Sequence, residues 1–169
     1  MGPVTPQHAL ERPAAGFTLV EILVVIVILA IAAGVAAVAY DGNDRDRALR
    51  EARRFAGALE HAALRAQARA ETLGASADGG AWRFWRRDPD NARWLPVTDD
   101  DALAAHAMPS AMTLTPVDYA GQALDANDIV PLRPTGRNEP YTFVLQSRDA
   151  RVVLAADPLN RVAVTVTSP

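Results

Sequence analysis

From Ile22 to Tyr40 the chain runs 19 residues without a charged side chain, ILVVIVILAIAAGVAAVAY, and Glu21 stands at the N-terminal edge of that run. As an α-helix the run extends roughly 28 Å at ~1.5 Å per residue, close to the ~30 Å of a bilayer's hydrocarbon core. It is apolar on every face, so no periodicity marks it as a surface helix of a soluble domain. A membrane-inserting segment is the first expectation. Ala37-Val38-Ala39 before Tyr40 is a small-x-small site of the kind cut in secretory signals. The run, however, exceeds the roughly 7–15 apolar residues of an ordinary signal core.

Glu21 is the informative departure. A carboxylate in hydrocarbon is costly, about +2.5 to +3.5 kcal/mol for Asp at a helix centre and less near the interface. One reading of Glu21 is an interfacial charge that snorkels. The other supplies it with a cation. No Arg or His occurs within one helical turn of it in the sequence, and a cut just upstream would create an amine. An α-amino group, with an ordinary pKa near ~8, is largely cationic at neutral pH. Gly16 lets the backbone enter a protease cleft without a Cβ in the way. Phe17 would put an aromatic ring at the membrane interface, where rings are favoured.

Gly16-Phe17-Thr18-Leu19-Val20-Glu21, G-F-T-L-V-E, resembles the class III (type IV prepilin-like) signal. The resemblance implies that a membrane prepilin peptidase cleaves between Gly16 and Phe17 on the cytoplasmic side and that Phe17 is then N-methylated. It also implies that Glu21 is the assembly charge, meeting the new amine as helices pack into a filament, and that the apolar helix is retained. The leader carries Glu11 and Arg12, which cancel, so charge alone orients the segment weakly. Pro3, Pro6 and Pro13 make it a short tail.

The remainder bounds the function. A length of 169 residues supports one domain plus an appendage. The absence of Cys excludes a disulfide framework, thiolate zinc ligands and a cysteine nucleophile. All 17 basic residues are Arg, which excludes lysine-dependent chemistry, and the net charge of −3 argues against a nucleic-acid glove.

Asp41-Gly42-Asn43-Asp44 predicts a hinge after the apolar run. Leu49, Ala52, Phe55, Ala56, Leu59, Ala63, Ala66, Ala70 and Leu73 then recur at three- and four-residue steps. Arg50, Arg53, Arg54, Glu60, Arg65, Arg69 and Glu71 take the remaining surface, and Gly74 is read as the residue just past the helix end. From Ala75 the pattern changes to strands. Alternation or short apolar runs mark Trp82–Arg87, Met112–Leu114, Ile129–Arg133, Tyr141–Leu145, Val152–Leu154 and Val162–Thr167. A short helix is predicted around Asp101–His106, and turns at Asp88–Asn91, Pro134–Gly136 and Asp157–Asn160.

The head, too, carries a resemblance. W-x-F-W-R-R-D (Trp82–Asp88), Trp94, Asp99-Asp100-Asp101 with Leu103, Met108-Pro109 and L-R-P-T-G-R-N-E-P (Leu132–Pro140) resemble the minor pseudopilins of the H class of type II secretion. Met108 stands where that family usually has leucine, and Thr135 replaces a frequent aspartate. The fold expected is α+β and pilin-like, a long N-terminal helix, transmembrane then amphipathic, packed on an antiparallel two-sheet β head. The expected domains are a cleaved leader over 1–16, a transmembrane helix over 17–40, a hinge and amphipathic stalk helix over 41–74, and a periplasmic β-rich head over 75–169. The resemblance implies a structural subunit near the tip of a periplasmic pseudopilus that drives export of folded proteins across the outer membrane. It implies as partners the major G-class and minor I/J/K-class pseudopilins, the prepilin peptidase, inner-membrane lipid and the inner-membrane assembly platform. The alternative is a minor type IV pilin for pilus assembly or DNA uptake. Arg83, Arg86, Arg87 and Arg93 near Trp82, Trp85 and Trp94 would then form a basic-aromatic surface. The net charge weighs against this, and no nucleic acid is expected.

An enzyme is not expected. His8, His61 and His106 are isolated in sequence, with no zinc-binding spacing. Ser76, Ser110, Ser147 and Ser168 lack a nucleophile elbow. Asp125-Ala126-Asn127-Asp128 is reminiscent of a calcium loop but lacks its glycine and terminal glutamate, and Asp99–Asp101 reads as a solvated acidic stretch. No catalytic residue, metal site or cofactor is predicted.

Overall fold

The computed structural model describes residues 19–167, the side chains of 35–43 within the helix excepted. Gly16, Phe17 and the leader therefore lie outside the described residues. The chain divides into two compact units, 1–39 and 40–169, and helix α1 (Leu19–Arg69) contributes to both.

In the first unit α1 is apolar and exposed. The large side chains from Leu19 to Ile31 range from 44% exposed at Val25 to 85% at Leu19. Among the described residues no helix is long and apolar enough to cross a membrane. Part of the span expected over 17–40 falls outside those residues.

The helix does not break at Asp41–Asp44, where the sequence predicts a hinge. Two Asp, an Asn and a Gly cost about 3 kcal/mol relative to Ala in a helix. Stopping and renucleating would cost about 4 kcal/mol for a nucleation constant near 10⁻³. Continuation is the smaller penalty.

In the second unit α1 ends earlier than the apolar spacing implies. Ala70 takes a left-handed φ of 51°. Its N–H donates to the Gln67 carbonyl at 3.4 Å, and the Glu71 N–H donates to the Ala66 carbonyl at 3.1 Å. That pair of bonds is a Schellman closure with Ala70, not Gly74, as the residue past the end. Leu73 and Gly74 then belong to β1 (Leu73–Ala77).

Among the described residues nine further strands follow: β2 (Ala81–Arg87), β3 (Trp94–Pro96), β4 (His106–Ala107), β5 (Thr113–Tyr119), β6 (Gln122–Ala123), β7 (Val130–Leu132), β8 (Tyr141–Gln146), β9 (Arg151–Ala156) and β10 (Val162–Thr167). The helix expected at Asp101–His106 is a single 3₁₀ turn, Asp101–Leu103. One sheet is ordered β3-β2-β1-β7, with β4 also on β2; the other is β10-β9-β8-β5-β6. Their pairings are antiparallel. The α+β, two-sheet head expected from the sequence is present.

The core lies where α1 meets both sheets. Phe55 sits with its ring centroid 5.1 Å from Trp82 and 6.2 Å from Phe84, both on β2, and 5.0 Å from Phe143 on β8. Ala48, Ala52, Ala56, Ala62, Ala63 and Ala66 are buried on the same helix. Their small side chains admit the close approach that the Ala-rich stripe requires. All five residues of β1 are buried. Leu73, Ala75 and Ala77 join the core, while Gly74 lies beneath Trp94 and Ile129. A Cβ on Gly74 would overlap Ile129 Cγ2 and come within 2.9 Å of the Trp94 ring.

Candidate assembly surface

Glu21 occupies the first turn of α1 and is exposed. A carboxylate there interacts favourably with the positive end of the helix dipole. It heads the exposed apolar surface that continues through Ile31. Gly16 and Phe17, the other two residues of the predicted processing site, fall outside the described residues.

In the head, α1 is fastened to the segment after β3 by a charged cluster that sequence reading assigned to the surface. The Arg65 side chain is only 4% exposed. Its Nε donates to Glu71 at 2.8 Å, Nη2 to Asp99 at 2.9 Å and Nη1 to Asp100 at 3.1 Å. Arg69 adds a 2.9 Å bond to Asp99, and His61 lies 3.0 Å from Asp100. Burial alone would push the guanidinium of Arg65 down, but its bonds to Glu71, Asp99 and Asp100 outweigh that and carry it up. Hydrogen bonds from Arg65, then Arg69, hold Asp99 below the usual carboxylate range. Burial pushes Asp100 up, yet His61 and Arg65 bring it below. Asp100 also accepts from the Ala102 N–H and so caps the 3₁₀ turn that buries Leu103. Asp99 and Asp100 thus latch α1 from a run that stays partly in solvent, with Asp99 and Asp101 exposed.

The isolated histidines also acquire partners. Besides His61, His106 lies 3.0 Å from Glu51 and stacks 4.1 Å from the Trp82 ring. These pairs flank a cleft of about 390 Å³ lined by Arg54, His61, Trp82, Asp101 and His106. Asp125 and Asp128 close their own turn, with the Asp125 N–H donating to Asp128 at 2.7 Å. Among the described residues no group of three or more His, Asp or Glu is placed to hold a metal ion.

The tryptophans separate onto two faces. Trp82 is 2% exposed in the core. Trp85 and Trp94 lie on the opposite face of the first sheet. There Trp85 Nε1 donates to Ser76 Oγ at 2.8 Å and Arg87 sits 5.6 Å over the Trp94 ring. Arg83 is bound to Asp78 at 2.7 Å. Trp82 is thus withdrawn from the surface, while Arg83, Trp85 and Arg87 share the outer face of the sheet with Trp94.

Residues 12–37 match the prokaryotic N-terminal methylation motif. The chain is similar to type II secretion system protein H of Pseudomonas aeruginosa, 30% identical over 138 residues, which cover 80% of this chain and 78% of the relative. It is also similar to the protein of that name from Aeromonas hydrophila, 29% identical over 153 residues and covering 81% and 83%. The Escherichia coli K12 relative is 36% identical over 91 residues, covering 52% and 54%. In fold, the chain resembles the minor pseudopilin EpsH from the type 2 secretion system of Vibrio cholerae. The TM-score is 0.54 at 16% identity, covering 73% of this chain and 98% of that one.

Proposed function

Because the chain belongs to the type II secretion system protein H family, we propose that it is processed, anchored and assembled as a minor pseudopilin near the tip of a periplasmic pseudopilus. Prepilin peptidase cuts between Gly16 and Phe17, and Phe17 becomes the N-methylated terminus. Residues 17–40 insert into the inner membrane, and the head stands in the periplasm. The subunit is structural. Its partners are the major G-class and minor I/J/K-class pseudopilins, with membrane lipid and the inner-membrane assembly platform at its base.

The observation that carries this reading is the position of Glu21 directly ahead of an exposed apolar helix surface, on a helix that continues into the head core. Apolar side chains left uncovered over more than three turns need lipid or neighbouring helices. A carboxylate in the first turn is where an amine from a neighbouring subunit can meet it without deep burial. The reading over a minor type IV pilin is supported by the similarity to protein H relatives across most of their length.

Mass spectrometry of the N-terminus of the chain isolated from secreting cells tests the reading. The expected species begins at Phe17 and carries one additional methyl group. A chain that begins at Met1 or at Tyr40 would overturn it.

A further inference from the structure

Among the described residues β10 ends the second sheet and pairs with β9 alone. The entry to the strand sets which of its groups face that ladder. The Asp157 N–H donates to the Arg161 carbonyl at 3.1 Å, so by two-residue alternation Ala163, Thr165 and Thr167 bond to β9. Val162, Val164 and Val166 turn their N–H and C=O groups away from it. The Val162 N–H already finds an acceptor outside the sheet, the Glu60 carboxylate of α1 at 3.0 Å.

The other sheet edges are blunted. β3 contains Pro96, β7 contains Pro131, and β4 and β6 have two residues each. β10 runs six residues, VAVTVT, with neither a proline nor a charge. An edge of that kind is a template for another strand. Beside its first residue is a cavity of about 210 Å³ lined by Glu60, Ala63, Leu64, Leu159, Asn160 and Arg161. Leu64 is 65% and Leu159 54% exposed at its mouth.

We propose that the β10 edge docks an extended, uncharged segment of another protein. The segment adds antiparallel to β10 and seats a large aliphatic side chain between Leu64 and Leu159. Main-chain bonds to Val164 and Val166 supply affinity, and the leucine pocket supplies selectivity. A second copy of this chain fits less well. Two-fold pairing about Val164 sets Thr167 against Arg161, and threonine is too small and polar for the space between the leucines. Such pairing would also take the Val162 N–H from Glu60. The docking site goes beyond the assembly reading and does not depend on how the N-terminus is processed.

The test uses the full chain in detergent micelles and a fluorescein-labelled peptide, acetyl-Thr-Val-Thr-Val-Thr-Leu-Ser-amide. Its leucine lies near the end that antiparallel pairing brings to Leu159. Saturable binding is expected by fluorescence anisotropy. Val164→Pro removes an N–H that points away from β9, which an edge strand tolerates, and is expected to abolish binding with the melting temperature retained. The double variant Leu64→Ser with Leu159→Ser, which changes only exposed side chains, is expected to weaken binding about tenfold and serves if Val164→Pro does not fold. No saturable binding to the unaltered chain, or undiminished binding by either folded variant, would overturn the proposal. So would disulfide bonds forming faster between copies carrying Ala163→Cys and copies carrying Thr165→Cys than between either and the control Arg83→Cys, all in a chain without native cysteine. None of these outcomes bears on where the mature N-terminus lies.

Discussion

The Arg65 guanidinium, nearly buried on α1, reaches across 34 residues of chain to hold both oxygens of Asp99, at 2.9 and 3.1 Å. With Glu71 and Asp100 on its remaining nitrogens, it joins the end of the stalk helix to the turn that buries Leu103. Removing Arg65 strips Glu71 of its bond to the guanidinium, while Asp100 keeps His61 and the half-exposed Asp99 keeps Arg69, a loss of about 2 kcal/mol. Arg65→Leu is therefore expected to destabilise the head by about that amount, measured as a lower urea midpoint. Arg69→Leu, whose side chain is largely exposed, is expected to cost less than about 1 kcal/mol.

The same cluster sets an acid limit. Asp99 and Asp100 are both held below the ordinary carboxylate range, in each case with Arg65 as a partner. In the unfolded chain they return to a pKa near ~3.9. As pH falls from about 5, the unfolded state therefore binds protons before the folded one does, and stability declines until the folded carboxylates are also protonated. Above that range their contribution is fully present. Urea midpoints between about pH 7 and pH 3 are expected to fall less steeply for Arg65→Leu than for the unaltered head.

The sequence exposed β2, β8 and β10 because each sets bulky residues at every second position on its core face: Trp82 and Phe84, then Tyr141, Phe143 and Leu145, then Val162, Val164 and Val166. It did not expose β1, whose residues Leu73-Gly74-Ala75-Ser76-Ala77 are buried on both faces. Small residues that fit beneath a helix on one side and tryptophans on the other have no alternation and little intrinsic β preference. The predicted helix end failed for the same reason: Leu73 keeps the helical apolar spacing but earns its burial in a strand. In the candidate site, Glu21 is legible from its place ahead of an apolar run. The Arg65 cluster is not, because its members are 34 and 35 residues apart and meet only once β3 returns to α1.

Ala70 holds a left-handed φ of 51° to close α1. A Cβ costs roughly 1 kcal/mol in that region, which glycine enters freely. Glycine also loses more backbone freedom on folding, so part of the gain is offset. Ala70→Gly is expected to stabilise the head by about 0.5 kcal/mol, read as a higher urea midpoint with an unchanged slope.

Four residues on, glycine is again the favoured residue, here for a steric reason. At Gly74 a Cβ would overlap Ile129 and crowd the Trp94 ring. Overpacking of that kind costs about 1–3 kcal/mol. Gly74→Ala is expected to lower the urea midpoint and to change the Trp94 fluorescence, a readout best made with Trp85→Phe in the background. No change in either would show that the outer layer of the first sheet shifts freely.

Glu21→Gln separates membrane insertion from assembly. Removing a charge next to an apolar helix lowers the cost of entering the bilayer, by less than the ~2.5–3.5 kcal/mol of a mid-membrane carboxylate because the site is near the interface. Insertion should therefore be at least as efficient as in the unaltered chain. The proposed cut at Gly16–Phe17 lies upstream in the sequence of Glu21 and of the head core. The expected result is a processed, membrane-associated chain with a native head that no longer co-purifies with pseudopilin assemblies, alongside reduced export of secreted protein. Gly16→Asp is expected to block at the earlier step and leave the leader attached. Normal export by Glu21→Gln would mean that the carboxylate contributes nothing an amide does not, and that the amine of a neighbouring subunit is not what it meets.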